Sequence, residues 1–413
     1  MRFRAIGCGA LAGFLGAVAL ARAEEPARLS SPLAEAPDWS WLDRYPGKLS
    51  RAELVRDLDS HYAPGGAAAG WVEVGAKSVR VRAAGGRWKE LPLASEGAGS
   101  EPMGAPEARF WRRAAELGPA PKGRPLQGVR IAVDPGHLGG NWARMEERFF
   151  QMPSGVPVME GDLTLRVAKR LKPQLEKLGA QVTLLRRSDQ PATGERPESL
   201  RAAAAADLSG NVTPERVRLH SELFFYRVSE IRARARLVNE HVRPDVVLCL
   251  HFNAEEWGEP EAPKLVPRNH LHALVNGCYS SKELAFEDVR SEMLEQLFSG
   301  TAREAVPLSE AVVDALAQES GLPPFTYFSS NARRVGSGPF LYARNLLATR
   351  LYKAPVVFLE PYVMNSAPVW KRVQMGDYAG QRAVGGGLSK SLVNEYADGV
   401  VSGLSRYYST ARR

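Results

Sequence analysis

The chain has 413 residues, of which 44% are hydrophobic and 24% are charged. These fractions are ordinary for a folded protein and exclude wholesale disorder, collagen-like repeats and a long coiled coil. Lys and Arg number 54 against 46 Asp and Glu, a net charge of +8. A surplus this small is compatible with an anionic polymer as partner, but it does not indicate nucleic-acid binding.

The first 23 residues have the pattern of an export signal. Arg2 and Arg4 supply a basic start, residues 5–20 are mostly apolar, and Ala21-Arg22-Ala23 is a cleavage site of small residues. The apolar run is too short to span a bilayer core of about 30 Å, and no later stretch approaches ~20 apolar residues. We therefore expect residues 1–23 to be a signal peptide and the mature protein to be exported, periplasmic or extracellular, without a stable membrane anchor.

Residues 24–126 are predicted to form a small N-terminal α+β module with a linker. The capping box Ser50-Arg51-Ala52-Glu53 predicts a short helix that runs toward His61. Alternating apolar and polar residues at 71–74 and 78–82 predict two half-buried strands. A Pro- and Gly-rich linker at 94–106 and a further helix at 107–117 complete this part. Because we identify no cluster of metal-ligating or nucleophilic residues here, we expect a packing or targeting module.

From residue 127 onward the sequence alternates between strand and helix patterns. Short aliphatic runs predict strands buried on both faces, and apolar residues on one helical face predict amphipathic helices. The predicted strands are 129–134, 182–185, 246–250 and 355–359, and the predicted helices are 162–178, 216–242 and 392–408. This order predicts an α/β fold: a doubly wound, mostly parallel twisted sheet with helices on both faces, in a catalytic domain at 127–413.

The stretch at 255–340 is longer than a plain crossover between two strands requires. Its predicted elements are a strand at 270–278 and helices at 286–298 and 309–320. One interpretation is a lid that limits access to the site, and the favoured alternative is a set of extra core helices. His270 and His272 alternate on the predicted strand, and we interpret them as surface or groove residues rather than metal ligands.

Two cysteines, Cys249 and Cys278, remain outside the predicted signal peptide. Two are too few for a disulfide scaffold. They form either one bridge or, as we favour, two buried free thiols.

The residues that carry chemistry lie at strand ends, where open α/β sheets bind their ligands. His137, His251 and Glu360 follow or end three predicted strands, and Glu160 precedes the first helix of the domain. Two histidines and a carboxylate with an open fourth position are the ligand set of a catalytic zinc site. Each residue also has a structural interpretation: a surface histidine, a helix-dipole contact for Glu160, and a buried ion pair for Glu360. Their joint position on one sheet favours the functional interpretation.

Four motifs, in combination and in order, resemble those of the zinc-dependent N-acetylmuramoyl-L-alanine amidases, which trim bacterial peptidoglycan. They are Asp134-Pro135-Gly136-His137, Glu160-Gly161-Asp162-Leu163-Thr164-Leu165, Leu248-Cys249-Leu250-His251-Phe252-Asn253-Ala254 and Val357-Phe358-Leu359-Glu360. Arg234 and Asn239, on the helix before the second histidine, are also similar to that family's pattern. The resemblance covers residues 129–408.

The resemblance implies that His137, Glu160 and His251 bind Zn²⁺ and that Glu360 is the catalytic general base. Zinc makes water acidic enough to react at neutral pH, and Glu360 would take its proton and later deliver it to the departing amine. The bond cleaved would be the amide between N-acetylmuramic acid and L-alanine, in cell-wall remodelling or cell separation. Peptidoglycan would be the substrate, and a protein activator would be a further partner.

Three more residues are assigned to the surroundings of this site. Asp134 ends an apolar strand and is expected to orient His137. Arg234 and Asn253 are expected to support the ligands or to contact substrate.

The sequence departs from the family pattern at Leu138, Phe252 and Pro361-Tyr362. None of these departures removes a ligand, so they affect the expected substrate fit rather than the expected metal binding.

Three other functions are consistent with parts of the pattern. One is a different exported zinc hydrolase, a peptidase or a carbohydrate deacetylase, which would use the same metal on another bond. Another is a non-catalytic wall-binding regulator whose site has decayed. The intact ligand set argues against this alternative. The third is a glycosidase that uses Asp134 and Glu160, which would need both carboxyl groups to flank one bond.

Overall fold

The protein is described here from a computed structural model, which describes residues 27–95, 109–259, 262–384 and 387–412. The predicted signal peptide and most of the predicted linker lie outside these residues. Among the helices within them, none is both long enough and apolar enough to cross a membrane.

The N-terminal module combines a short helix with an antiparallel meander of three strands. Its elements are α1 (Arg51–Asp57), β1 (Val72–Val74), β2 (Ser78–Arg82) and β3 (Trp88–Pro92). The Ser50 side chain accepts a hydrogen bond from the Glu53 N–H and so caps α1, as the motif predicts. The two strands predicted at 71–74 and 78–82 are present, and β2 pairs with both of its neighbours in the meander.

The part of the chain from residue 127 onward contains a seven-stranded sheet and two small hairpins. Its strands are β4 (Arg130–Pro135), β5 (Phe149–Phe150), β6 (Val158–Met159), β7 (Gln181–Leu184), β8 (Val246–Leu250), β9 (Leu271–Val275), β10 (Ala332–Arg334), β11 (Leu341–Arg344), β12 (Val356–Pro361), β13 (Arg382–Val384) and β14 (Gly387–Ser389). The order in the main sheet is β10-β11-β9-β12-β8-β4-β7. The strands β12, β8, β4 and β7 are parallel, whereas β9 runs antiparallel to β12 and β10 runs antiparallel to β11.

Helices cover both faces of this sheet, so the predicted α/β architecture is confirmed. They are α2 (Glu160–Lys177), α3 (Arg201–Asp207), α4 (Pro214–Leu223), α5 (Glu230–Arg236), α6 (Ser281–Leu284), α7 (Glu287–Ser299), α8 (Thr301–Ser320), α9 (Leu347–Leu351), α10 (Ala367–Gln374) and α11 (Leu392–Ala411). Alternate strand residues face opposite layers. Ile131 and Val133 pack in one core with residues of α2, α8 and α11, while Ala132 packs in another with Ala235 of α5.

The helix predicted at 216–242 is present but not uniform. Two π-helical turns, Phe224–Ser229 and Leu237–Val242, follow α4 and α5, so the helical path extends from 214 to 242. It ends where Arg243 adopts a left-handed conformation with φ 48°. The chain then enters β8 directly.

The prediction of a helix at 107–117 is wrong for residues 109–117, which are the part of that range that the structure describes. Residues 109–113 are not helical, and only Ala114–Leu117 forms a short 3₁₀ turn. Tertiary contacts override the local pattern, because the Arg112 side chain pairs with buried Asp245 at 2.7 Å and Trp111 is buried under the sheet.

The stretch at 255–340 supplies core elements rather than a separate lid. It adds β9 and β10 to the sheet, and α8 packs in the same core as α2 and α11. The favoured prediction of extra core helices is confirmed for α8. Among the described residues, Glu255, Glu256, Trp257 and Gly258 are the members of this stretch that line the cavity of the candidate site.

The other helices of that stretch, α6 and α7, pack against the N-terminal module. We call the shared cluster the joint core, which combines apolar residues of the module with Tyr279, Leu284, Val289, Met293, Leu294, Leu297 and Phe298. Trp41 contacts Phe298 edge to face at 5.8 Å, and its indole N–H donates to Ser291 Oγ at 3.1 Å. His61 Nε2 bonds the Asn276 carbonyl at 2.6 Å.

Both cysteines are free thiols, as favoured from the sequence. Cys249 is buried, whereas Cys278 is only half-buried.

Candidate metal centre

Three side chains from distant parts of the chain meet at the carboxyl edge of the sheet. His137 lies two residues after β4, His251 directly follows β8, and Glu160 is the first residue of α2. One ligand atom of each lies within 4.8 Å of the others. His137 Nε2 is 3.3 Å from one Glu160 carboxylate oxygen, and His251 Nδ1 is 3.0 Å from the other. We call these three residues the His–Glu–His group.

Local packing explains why the sequence has glycine before His137. A Cβ on Gly136 would lie 2.2 Å from the His251 ring, so only glycine lets that ring occupy its position. His137 itself has a left-handed backbone, with φ 57°. The His251 ring stacks on Phe358 of β12, with 4.4 Å between centroids and 14° between planes. The His251 ring is therefore held between the Gly136 backbone and the Phe358 ring.

Glu160 is charged although it is almost fully buried, at 1% exposure. Burial by itself would raise its pKa, but the adjacent His137, His251 and Arg148 outweigh that effect and lower the pKa. Its Oε1 also accepts the Phe252 N–H at 3.1 Å. Two imidazoles and a charged carboxylate are donors that zinc prefers, so the residues present fit a Zn²⁺ ion.

Glu146, which the sequence analysis did not identify, takes the position beside His137 that was expected of Asp134. Its carboxylate lies 3.5 Å from His137 Nδ1 and accepts the N–H groups of Leu138 and Gly139. Burial acts to raise the Glu146 pKa, yet His137 and these N–H groups lower it overall. A buried carboxylate on the second ring nitrogen orients a histidine ligand and increases its basicity.

Asp134 and Arg234 instead form a buried pair behind the site. Asp134 accepts hydrogen bonds from Arg234 Nη1 at 2.8 Å and from the Tyr352 hydroxyl at 2.5 Å. Arg234 also donates to the Pro135 carbonyl at 2.9 Å. Burial would lower the pKa of Arg234, but the charges of Asp134 and Glu230 raise it. The pair thus fixes the backbone that leads into His137.

Beside the His–Glu–His group is an open cavity of about 380 Å³. Glu360 of β12 and the segment 253–258 line it together with the His–Glu–His group. Burial, reinforced by the negative charge of Glu160, raises the pKa of Glu360, although His251 acts in the opposite direction. Asn253 lines the same cavity, with its Oδ1 accepting the Ala254 N–H at 2.7 Å.

The departures from the family pattern pack into the core, and Phe252 also lines the cavity. Leu138 is fully buried in a cluster with Phe225 and Leu200, from the segment between β7 and α5. Phe252 packs against Tyr362 and Tyr396 at ring distances of 5.9 and 5.5 Å. These larger residues therefore fill space created by other parts of this chain.

His270 and His272 are not surface residues, contrary to one of the two interpretations offered from the sequence. They are 8% and 3% exposed on the β9 side of the site. The register pairs His272 with Glu360 directly across β9 and β12. The ligand group found among the described residues does not include either of them.

Comparison with known proteins gives one curated relative, while no family model matches. The chain is similar to the germination-specific N-acetylmuramoyl-L-alanine amidase of Bacillus subtilis (strain 168), with 24% identity over 184 residues. The match covers 44% of this chain and 59% of that protein, so the chain spans about three fifths of the relative's length. This relative has the activity of the family that the four motifs resemble.

Several solved structures are also similar to this chain. The N-acetylmuramyl-L-alanine amidase Ami1 from Mycobacterium smegmatis has 17% identity and a TM-score of 0.39, with 68% of this chain and 98% of that chain covered. The amidase AmiC2 of Nostoc punctiforme has 15% identity and a TM-score of 0.37, with 68% and 98% covered.

Proposed function

We propose that the chain is an exported, zinc-dependent N-acetylmuramoyl-L-alanine amidase that cleaves the amide between N-acetylmuramic acid and L-alanine in peptidoglycan. The observation that carries this proposal is the His–Glu–His group, whose ligand atoms lie within 4.8 Å of one another beside an open cavity that also contains Glu360. The similarity to a curated amidase supports the choice of bond.

His137, Glu160 and His251 would hold the ion. Bound there, Zn²⁺ would polarise the amide carbonyl and acidify water in the cavity. Arg148, whose Nε is 3.2 Å from the Glu160 oxygen that also faces His137, would keep that ligand charged, and Glu146 would hold the His137 ring in the orientation for binding.

Glu360 would move the protons of the reaction. As a carboxylate it takes a proton from the attacking water while the new C–O bond forms, and as an acid it gives that proton to the amine nitrogen while the C–N bond breaks. A group that both accepts and donates a proton works best with a pKa near the operating pH. The raised pKa of Glu360 moves it in that direction.

The substrate lies outside the cytoplasmic membrane, which agrees with a signal peptide at residues 1–23. We therefore propose a periplasmic or extracellular location. A protein activator remains a prediction that a pull-down from the wall fraction would test.

A metal assay joined to product analysis tests the proposal. The mature wild-type protein, Glu360→Gln and His251→Ala would be assayed for zinc and incubated with purified sacculi. We expect wild type to release peptides with a free N-terminal alanine, leaving glycan with free lactyl carboxylates, and both variants to release almost none. Cleavage between amino acids would indicate a peptidase, released acetate a deacetylase, and absence of both zinc and products a non-catalytic protein. Each of these outcomes would contradict the proposal.

A further inference from the structure

A single guanidinium lines the cavity beside the His–Glu–His group. Among the described residues that line this cavity, Arg148 is the only Arg or Lys. The carboxylates that line it are Glu147, Glu160, Glu255, Glu256 and Glu360. Arg148 is therefore the permanent positive charge closest at hand for a substrate atom that becomes negative inside the cavity.

Arg148 is fixed in place by its neighbours but keeps donors for a ligand. Its carbonyl accepts the Glu160 N–H at 3.2 Å, and its Nε lies 3.2 Å from Glu160 Oε2. Its Nη1 donates to the Glu147 carbonyl at 2.9 Å. A guanidinium has five N–H groups, and among the described residues Nη2 makes no hydrogen bond. Since the side chain is 34% exposed and lines the cavity, these donors are accessible to a bound molecule.

Arg148 and Glu360 approach the His–Glu–His group from opposite ends. The strands β12, β8 and β4 are neighbours in that order, so Glu360, His251 and His137 follow one another along the carboxyl edge of the sheet. Glu360 lies beside His251, whose N–H bonds the Leu359 carbonyl at 3.0 Å. Arg148 instead contacts the Glu160 oxygen that faces His137.

This arrangement matches the charge changes of amide hydrolysis. Attack of water moves negative charge onto the carbonyl oxygen, and the nitrogen then takes up a proton as the C–N bond breaks. A substrate whose nitrogen faces Glu360 for that proton directs its carbonyl oxygen toward the end of the cavity where Arg148 lies. A fixed cation at the point where negative charge develops stabilises the transition state more than the ground state.

We infer that Arg148 is a catalytic residue that donates a hydrogen bond to the carbonyl oxygen of the scissile amide and then holds the carboxylate of the product with the same donors. No bond to Arg148 forms or breaks, and its protons stay on the guanidinium. The inference rests on the proposed function for its effect on the reaction. The binding of a carboxylate at Arg148 does not depend on that function.

The kinetic test compares two arginines of one segment. Arg148→Gln and Arg144→Gln remove the same charge, but Arg144 is exposed, with its guanidinium 3.8 Å from the centroid of the Phe149 ring. Removing one donor to a developing oxyanion lowers kcat by about 10²-fold or more. In excess zinc we expect this loss in Arg148→Gln with unchanged KM, and wild-type kcat in Arg144→Gln. Wild-type kcat in Arg148→Gln would overturn the inference, because Arg148 would then act only by supporting Glu160.

A third variant separates the charge from its shape. Arg148→Lys keeps a positive charge beside Glu160 but presents it as a single point rather than a planar fork. We expect its kcat to lie between those of wild type and Arg148→Gln, with zinc content and urea unfolding close to wild type. Equal kcat in the lysine and glutamine variants would show that the charge does not stabilise the transition state, which would also overturn the inference.

A binding experiment keeps the inference separate from the proposed function. The probes are N-acetylmuramic acid, which carries a free lactyl carboxylate, and the corresponding lactyl amide. Both are titrated by calorimetry into zinc-loaded Glu360→Gln protein, which prevents turnover. We expect this protein to prefer the acid, and we expect adding Arg148→Gln to reduce the preference about tenfold, since one charge-assisted hydrogen bond is lost. Adding Arg144→Gln should leave the preference unchanged.

The outcomes distinguish the two claims. An equal preference for the acid in the Arg148 and Arg144 variants would refute the inference, even if wild-type protein releases peptides from sacculi. Inactive wild-type protein whose preference for the acid depends on Arg148 would refute only the proposed function.

Discussion

The His–Glu–His group and the joint core are assembled from the sequence in opposite ways. Each member of the group belongs to a short motif at the end of a strand or the start of a helix, and sheet topology brings those ends together. The joint core instead depends on contacts between residues as far apart as Trp41 and Ser291, which no local pattern encodes. Motifs therefore locate the chemistry, whereas the tertiary fold decides what supports it.

The largest expected effect comes from the His–Glu–His group itself. Glu160→Gln removes the negative charge between two imidazoles, so zinc should be lost and amidase activity should fall by about 10³-fold or more. Zinc content and release of peptides from sacculi measure this. Glu255→Gln, another carboxylate of the same cavity, should keep its zinc. Full zinc content in Glu160→Gln would exclude Glu160 as a ligand.

The next effect tests whether the N-terminal module and the part from residue 127 onward unfold together. Trp41→Ala would leave a cavity in the joint core and should reduce the free energy of unfolding by about 3–5 kcal/mol. Trp88→Ala is the matched control, since Trp88 is only half-buried and contacts Arg80 on the module surface. Urea unfolding followed by fluorescence and by zinc release measures both. If the Trp41 variant releases zinc at the wild-type urea concentration, the two parts are independent.

The same region should make stability depend on pH through His61. Burial lowers the His61 pKa from 6.5 to about 4, although the Asn276 carbonyl and Asp57 act in the opposite direction. The unfolded chain then binds the extra proton first, so stability is complete above pH 6.5 and falls toward pH 4, by on the order of 3 kcal/mol.

His61→Gln should flatten this part of the stability profile measured by urea unfolding between pH 4 and 7. His220→Gln is the control, because His220 lies on the surface beside Asp207. An unchanged slope in His61→Gln would mean that other groups cause the acid sensitivity.

The smallest expected effect concerns the support of the metal ligand. Glu146→Gln should weaken zinc affinity 10- to 100-fold, as changes to groups that orient metal ligands do. Competition with a chelator measures this affinity without reference to activity. Glu147→Gln, the neighbouring and exposed carboxylate that faces Arg227 at 3.6 Å, should leave affinity unchanged. Equal zinc affinities in the two variants would show that Glu146 does not support metal binding by His137.

The sequence predicted the four parallel strands β4, β7, β8 and β12, the strand β9 and the longer helices, because buried strands and amphipathic helices have strong periodicities. It did not predict β10 and β11. It did not identify Glu146, since that residue lies in a loop and acquires its role only when the loop folds back onto the Leu138 and Gly139 N–H groups. For the same reason Asp134 was expected to orient His137, whereas in the structure its carboxylate accepts hydrogen bonds from Arg234 and Tyr352.

The helix predicted at 107–117 failed for a related physical reason. Its pattern suits a helix in isolation, but Arg112 gains an ion pair with Asp245, and the Arg112 N–H bonds the same carboxylate at 3.0 Å. A residue more than a hundred positions away thereby decides the local conformation. A contact between residues so far apart in the chain cannot be predicted from the residues around position 112 alone.

The joint core has a practical consequence for anyone who wishes to trim this protein. A fragment that starts at residue 127 keeps every motif of the hydrolase, yet it would present to water the side of α7 that Trp41 and Tyr45 cover through Phe298. An apolar surface of that kind promotes self-association. The shortest well-behaved form of this protein should therefore include the N-terminal module.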